Sequence, residues 1–277
     1  MIIATLVLLG LCFGSFVNAL VWRLHQQSLP KNQRKAGDKE LSIRKGRSIC
    51  VNCGHMLRTG DLIPVLSWIK QRGKCRYCSK PILWQYPAIE LAVAALFVLS
   101  YIFWPESLNS AENALLFTVW LAALTGLTAL VVYDIRWMLL PNKIIAPLVA
   151  VVGLVVLLDS LFIAQSSEPL ISSLAGALVG GGLFYVIFQV SKGRWIGGGD
   201  VKLGFLLGLL VGDPVMALMV LFLASLLGTV LILPLVALKK IDSKARIPFG
   251  PFLILAAVIV RLFGQDILEY YLRFVGL

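Results

Sequence analysis

Long apolar runs alternate with short polar breaks along the chain, and the runs carry the expectation of the fold. Crossing a hydrocarbon core of ~30 Å takes about twenty apolar residues in a helix. Eight stretches are candidates: residues 1–21, 84–104, 113–133, 142–163, 170–190, 198–212, 214–236 and 248–264. The sixth is short. The first runs into Trp22-Arg23 without a small-residue cleavage site, so it reads as a retained helix and not a removed signal peptide. One stretch breaks the rhythm, since residues 22–83 are polar, basic and rich in turn formers. The pattern predicts an all-α polytopic membrane protein of about eight transmembrane helices, with a small domain between the first two. The expected divisions are a first helix at 1–21, a loop domain at 22–83 and a helical membrane domain at 84–277.

Composition removes the main competitor. Of 277 residues, 59% are hydrophobic and only 14% charged, too few charges to cover a soluble globule. The net charge of +11 would suit a nucleic-acid partner, but its placement points to the bilayer. Fourteen of the 25 Lys and Arg fall between Arg23 and Lys80. Most others follow alternate helices: Arg136 and Lys143, Lys192 and Arg194, then Lys239, Lys240, Lys244 and Arg246. The intervening "PESLNSAE", "AQSSEP" and "GDP" carry none. By the positive-inside rule the basic loops are cytoplasmic and both termini face out. No nucleic acid is needed to explain the charge.

Four of five cysteines lie in the basic loop, as "CVNC" (Cys50, Cys53) and "CRYC" (Cys75, Cys78), 21 residues apart. Each C-x-x-C supplies two thiolates from one tight turn, and two turns close a tetrahedron around a structural zinc. Disulfides are disfavoured on a reducing face, and a loop with so little apolar content needs the metal for stability. His55 could compete as a ligand, although a solvated loop histidine is the plainer reading. Cys12, inside the first run, reads as a small apolar residue.

Ionisable residues at membrane depth are costly and so are functional candidates by default. They are Glu90, Asp134, Asp200, Lys202 and Arg261. Arg261 can snorkel near the outer end of the last helix, and Glu90 near the start of the second suits the helix dipole. Asp134, closing the third run, and Asp200, opening the sixth in "RWIGGGDVKL", fall at the same cytoplasmic depth. Gly204, Gly208 and Gly212 continue from Asp200 at spacings of four, and Gly126 and Ala122 lie behind Asp134. Small-residue faces turn both acids inward. Two close carboxylates share a proton, the arrangement of aspartic proteolysis. Gly197 and Gly199 would permit unusual dihedrals and close backbone approach. The alternative arrangement pairs the acids with Arg136 and Lys202 as helix-end anchors, and composition alone slightly favours it. Both histidines, His25 and His55, sit in the loop stretch, and no H-E-x-x-H occurs, which sets aside a membrane Ser-His dyad and a zinc protease.

These motifs resemble the bacterial type 4 prepilin leader peptidase/N-methyltransferase family. "IGGGDVKL" resembles its G-x-G-D motif and "YDIRWMLLPN" its first-aspartate segment. "GSFVN", "DLIPVLSW", "RGKCRYC", "YPAIE" and "IPFGPF" follow in family order over nearly the whole chain. The resemblance implies a GxGD-type aspartic protease of the bacterial plasma membrane with Asp134 and Asp200 catalytic, supported by Gly197, Gly199 and Lys202. It further implies cleavage of the basic leader of prepilins after glycine, on the cytoplasmic side. S-adenosylmethionine would then methylate the new N-terminus, with the cysteine loop and Gly73 tied to that step. The sequence departs from the family in "CVNC", which lacks a proline after its first Cys, in "IRW" after Asp134, and in Asn142 where an acid is frequent. The catalytic carboxylates are untouched by these changes, whereas the loop carries one of them.

Overall fold

Each apolar run forms a helix because a bilayer offers the backbone no other hydrogen-bonding partner. The structure, a computed structural model, describes residues 1–242 and 245–276. Lys244, counted among the basic residues above, lies outside them. Among the described residues the helices are α1 (Ile2–Ser28), α2 (Leu66–Lys70), α3 (Gln85–Ile102), α4 (Ala111–Trp137), α5 (Asn142–Leu158), α6 (Glu168–Ser191), α7 (Gly198–Val211), α8 (Pro214–Ala237) and α9 (Gly250–Val275). A π-helical turn, Asp159–Ile163, extends α5. Seven of these are long and apolar enough to cross a membrane. The remaining expected span, the sixth, is α7, with 14 residues. No extended strand is present among the described residues, only two isolated bridges in the loop.

Two ends differ from the hydropathy boundaries. Helix α1 continues seven residues past 21 to Ser28, and α9 continues past 264 to Val275. Both extensions carry polar residues, which end an apolar window without ending helical hydrogen bonding. Cap residues set the other ends where they occur. Ser110 accepts from the Asn113 N–H, and Asp213 accepts from Val215 and Met216, with Pro214 opening α8.

The chain divides into two compact units, Met1–Ile102 and Phe103–Leu277. In the first, α1 packs along α3 in antiparallel register, with glycines admitting the neighbouring backbone. A Cβ at Gly10 would overlap the backbone of Ala94, and one at Gly14 would lie 2.5 Å from Glu90 Cα. One turn further, Asn18 Nδ2 donates to the Tyr86 carbonyl at 3.1 Å. Helix α3 therefore joins α1 and the cysteine loop in one unit.

In the second unit the tightest seam lies between α6 and α7. Gly204 faces the Gly180 carbonyl, 2.6 Å from where its Cβ would be, and Gly208 faces Gly176 still more closely. Gly126 of α4 takes Leu148 of α5. Arg261 lies within α9, not at its end: it pairs with Glu106 at 3.1 Å and stacks over Trp104 at 4.4 Å. Its charge is met by a carboxylate and an aromatic face of the connection between α3 and α4.

Candidate active site

Asp134 lies one turn before the end of α4, and Asp200 lies in the first turn of α7. The fold brings them close enough for the charge of Asp200 to act on Asp134. Asp134 is 5% exposed, and its Oδ2 accepts the Gly250 backbone N–H at 3.1 Å. That N–H is available because Gly250 begins α9, where the first amides have no intrahelical acceptor. A Cβ at Gly250 would stand 2.6 Å from the same oxygen.

The basic neighbours turn elsewhere. Lys202 Nζ donates to Asn142 Oδ1 at 3.0 Å, and the Arg136 guanidinium sits 4.9 Å over the Trp137 ring. Among the described residues neither aspartate forms an ion pair, so the anchoring arrangement is not the one adopted. Lys202 belongs to the surroundings of the site through α5 and not through contact with a carboxylate.

The glycine triplet works by closeness rather than by unusual dihedrals. Gly197 caps α7 at φ −76°, ψ 147°, and none of Gly197, Gly198 or Gly199 has positive φ. A Cβ on Gly197 would instead lie 3.3 Å from Asp200 Oδ2, and one on Gly199 would press on Leu140 at 3.1 Å. The Asp200 N–H closes the turn onto the Gly197 carbonyl at 3.1 Å.

In the first unit, Cys50, Cys53, Cys75 and Cys78 place their sulfurs within 4.8 Å of one another, with Cys50 and Cys78 4.0 Å apart. Zn–S bonds of ~2.3 Å require tetrahedral edges of about 3.8 Å, so the quartet fits a metal ion. The two halves repeat one motif. Cys50 N bonds His55 O and Gly54 N bonds Cys50 O, while Cys75 N bonds Lys80 O and Ser79 N bonds Cys75 O, all at 2.9 Å. Gly54 and Ser79 take the left-handed turn at φ 70° and 55°. The Lys80 N–H pulls the Cys78 thiol down, but desolvation and the sulfurs of Cys75, Cys53 and Cys50 outweigh it and push it up to about 11. A bound cation would reverse that balance.

His55 lies outside this group, its ring stacked on Tyr77 with centroids 3.7 Å apart. Cys12 is exposed on α1. Gly73, at φ 67°, lies under Trp68, whose Cζ2 is 3.0 Å from the position a Cβ would take. Asp61 is a hub that the sequence reading missed. It accepts from Gln71, Arg76, Tyr77 and its own turn at Arg58, all within 3.2 Å. Gly250 and the α6 glycines were also missed. The four-residue spacing of Gly176 and Gly180 was a readable signal, but a backbone donor at Gly250 leaves none.

Two carboxylates within electrostatic reach, one of them in a G-x-G-D turn, make up the kind of acid pair that aspartic proteolysis uses. Residues 8–104 match the bacterial peptidase A24 N-terminal domain and residues 121–233 the type IV leader peptidase family. The chain is 32% identical over 281 residues to the prepilin leader peptidase/N-methyltransferase of Pseudomonas aeruginosa, covering 98% of this chain and 93% of the relative. It is 30% identical over 279 residues to that of Stutzerimonas stutzeri (97% and 93%), and 31% over 235 residues to that of Bacillus subtilis (84% and 88%). The chain belongs to the type IV leader peptidase family. No solved structure matches it.

Proposed function

We propose that this chain is a bacterial inner-membrane prepilin peptidase and N-methyltransferase. Asp134 and Asp200 form its catalytic pair. One carboxylate takes a proton from water, and the other, protonated, polarises the scissile carbonyl. The Gly250 N–H fixes how the Asp134 carboxyl is turned, and the close Gly197 backbone leaves room beside Asp200 for an extended peptide. The single observation that carries this reading is the pair itself: two acids near each other, neither of them in an ion pair among the described residues.

The substrates are prepilins and pseudopilins, cut after glycine on the cytoplasmic side, where the basic loops place the acids by the positive-inside rule. The new N-terminus then receives a methyl group from S-adenosylmethionine. Zinc is the ion for the cysteine quartet, given all-sulfur ligands at tetrahedral spacing, and its part is to fold the loop that carries Gly73. The decisive experiment incubates the purified enzyme with a prepilin and S-adenosylmethionine, reading cleavage and mass gain by mass spectrometry. Asp134→Asn and Asp200→Asn are each expected to abolish cleavage in a normally inserted protein. Cleavage retained by both variants would refute the assignment.

A further inference from the structure

The packed face between α1 and α3 holds two polar groups that peptide cleavage leaves unused. Glu90 is 6% exposed and Asn18 5% exposed. They come from neighbouring turns of facing helices, since Gly14 lies against Glu90 and Asn18 binds the carbonyl of Tyr86. The Asn18 amide has one possible orientation. Its Nδ2 donates to Gly14 O at 3.3 Å and Tyr86 O at 3.1 Å, and turning it over would set oxygen against two carbonyls. Its Oδ1 is therefore left buried without a donor.

Glu90 has donors, but neither of them is charged. Its Oε2 accepts the Val65 N–H at 2.7 Å, with Ser15 as a further partner. Among the described residues it has no ion pair. The surrounding elements offer no nearby charge. Helix α1 carries only Cys12 as a titratable group before Arg23, and Arg23 gives its guanidinium to the carbonyls of Ile43 and Gly46. His25 lies two turns beyond Asn18, the turn at Leu62–Ile69 has no titratable residue, and α3 adds only Tyr86 and Tyr101.

A buried carboxylate without a counter-charge, one helical turn from an amide oxygen without a donor, suits a ligand that brings several N–H bonds and a positive charge. Val65 connects this face to the loop associated with methylation. It is β-branched, yet sits at φ 59°, ψ −52°, in a γ-turn closed by Leu66 N and Pro64 O. The chain then enters α2, whose Trp68 covers Gly73. We propose that Glu90 and Asn18 form a binding site for a primary ammonium in methyl transfer, an inference that rests on the methyltransferase half of the function above. The ammonium comes from one of two sources: the new N-terminus of the cleaved pilin, which gives a proton to Glu90 so that its nitrogen lone pair can take the methyl group from the sulfonium sulfur and leave S-adenosylhomocysteine, or the amino-acid end of S-adenosylmethionine, which is held and does not react.

The test uses the full-length enzyme in lipid nanodiscs. Binding is measured for phenylalanine-led pilin peptides with free or acetylated N-termini, and for S-adenosylhomocysteine beside methylthioadenosine, which lacks the amino-acid end. Wild type is expected to favour the amine-bearing member of one pair at least tenfold, and the pair that discriminates names the source. Glu90→Gln and Asn18→Ala should each reduce that ratio below threefold and raise the methylation KM for the same ligand. Glu90→Asp, which keeps the charge, should recover part of it. Unchanged discrimination in a folded Glu90→Gln variant overturns the proposal. So does a wild type that cleaves and methylates pilin yet ignores the amine in both pairs, a result that needs no variant to fold. A wild type that transfers no methyl group at all overturns the reading beneath it instead.

Discussion

At Gly250 a missing side chain decides whether one hydrogen bond can form. A methyl group there would occupy space 2.6 Å from Asp134 Oδ2, where the backbone N–H now donates at 3.1 Å. Hydrogen bonds to charged groups contribute about 1.5–3 kcal/mol, so Gly250→Ala is expected to slow prepilin cleavage about 10- to 100-fold in a protein that still inserts, measured as initial rate. Asn142 gives the opposite expectation. An aspartate there would meet Lys202 Nζ, now 3.0 Å from Asn142 Oδ1 at an exposed position. Exposed pairs contribute under ~1 kcal/mol, and Asn142→Asp should leave the cleavage rate within about twofold. Residue chemistry was legible wherever a side chain carries it. Asp134, Asp200 and the four cysteines stood out as candidates by spacing and depth, but for the acids the choice of proteolysis over helix-end anchoring took the family resemblance. The Gly250 donor did not stand out, because it is backbone, and neither did the Asp61 hub, whose donors come from separate turns of the loop.

At the scale of elements, the α6/α7 seam fixes where Asp200 stands. The carbonyls of Gly176 and Gly180 occupy the space that side chains on Gly208 and Gly204 would fill. Backbone cannot move aside as a flexible side chain can, so Gly208→Leu must part the helices. Overpacking of this kind costs about 1–3 kcal/mol. The expected result is a lower melting temperature together with loss of cleavage, although position 208 is two turns from the carboxylate. Normal stability with normal cleavage would contradict the seam. Helix existence was legible from apolar periodicity because lipid enforces it. The helix ends were less so: α1 through Ser28 and α9 through Val275 continue on polar residues that a hydropathy window reads as loop. The glycine faces announced close packing, but the partner of each face follows from three-dimensional arrangement, which spacing along one helix does not encode.

The whole molecule joins two units of different physics. The first carries the four-cysteine cluster beside the packed pair α1 and α3, and the second is built of helices packed on one another. A metal ion entering the quartet would have to displace protons from it, and Cys78, pushed up to about 11 without a cation, holds its proton tightly. Acidification therefore favours the thiols over the metal, and metal content should fall as pH falls. Chelation at neutral pH should abolish methyl transfer while leaving cleavage within about threefold, with metal content and both products measured on the same sample. Equal loss of both activities would tie the metal to proteolysis as well.

The brevity of α7 bears on how a hydrolase inside a membrane obtains its second reactant. At 1.5 Å per residue, its 14 residues extend about 21 Å, against a hydrocarbon thickness of ~30 Å. One way to accommodate a difference of about 9 Å is for the headgroup layer to be drawn inward at one terminus. If the dip lies at the Asp200 terminus, wetting reaches the acids without a separate channel. A cysteine placed at Gly198 should then react with a charged, impermeant maleimide faster than one at Leu206 in the same helix, and equal protection of both would leave the acids dry.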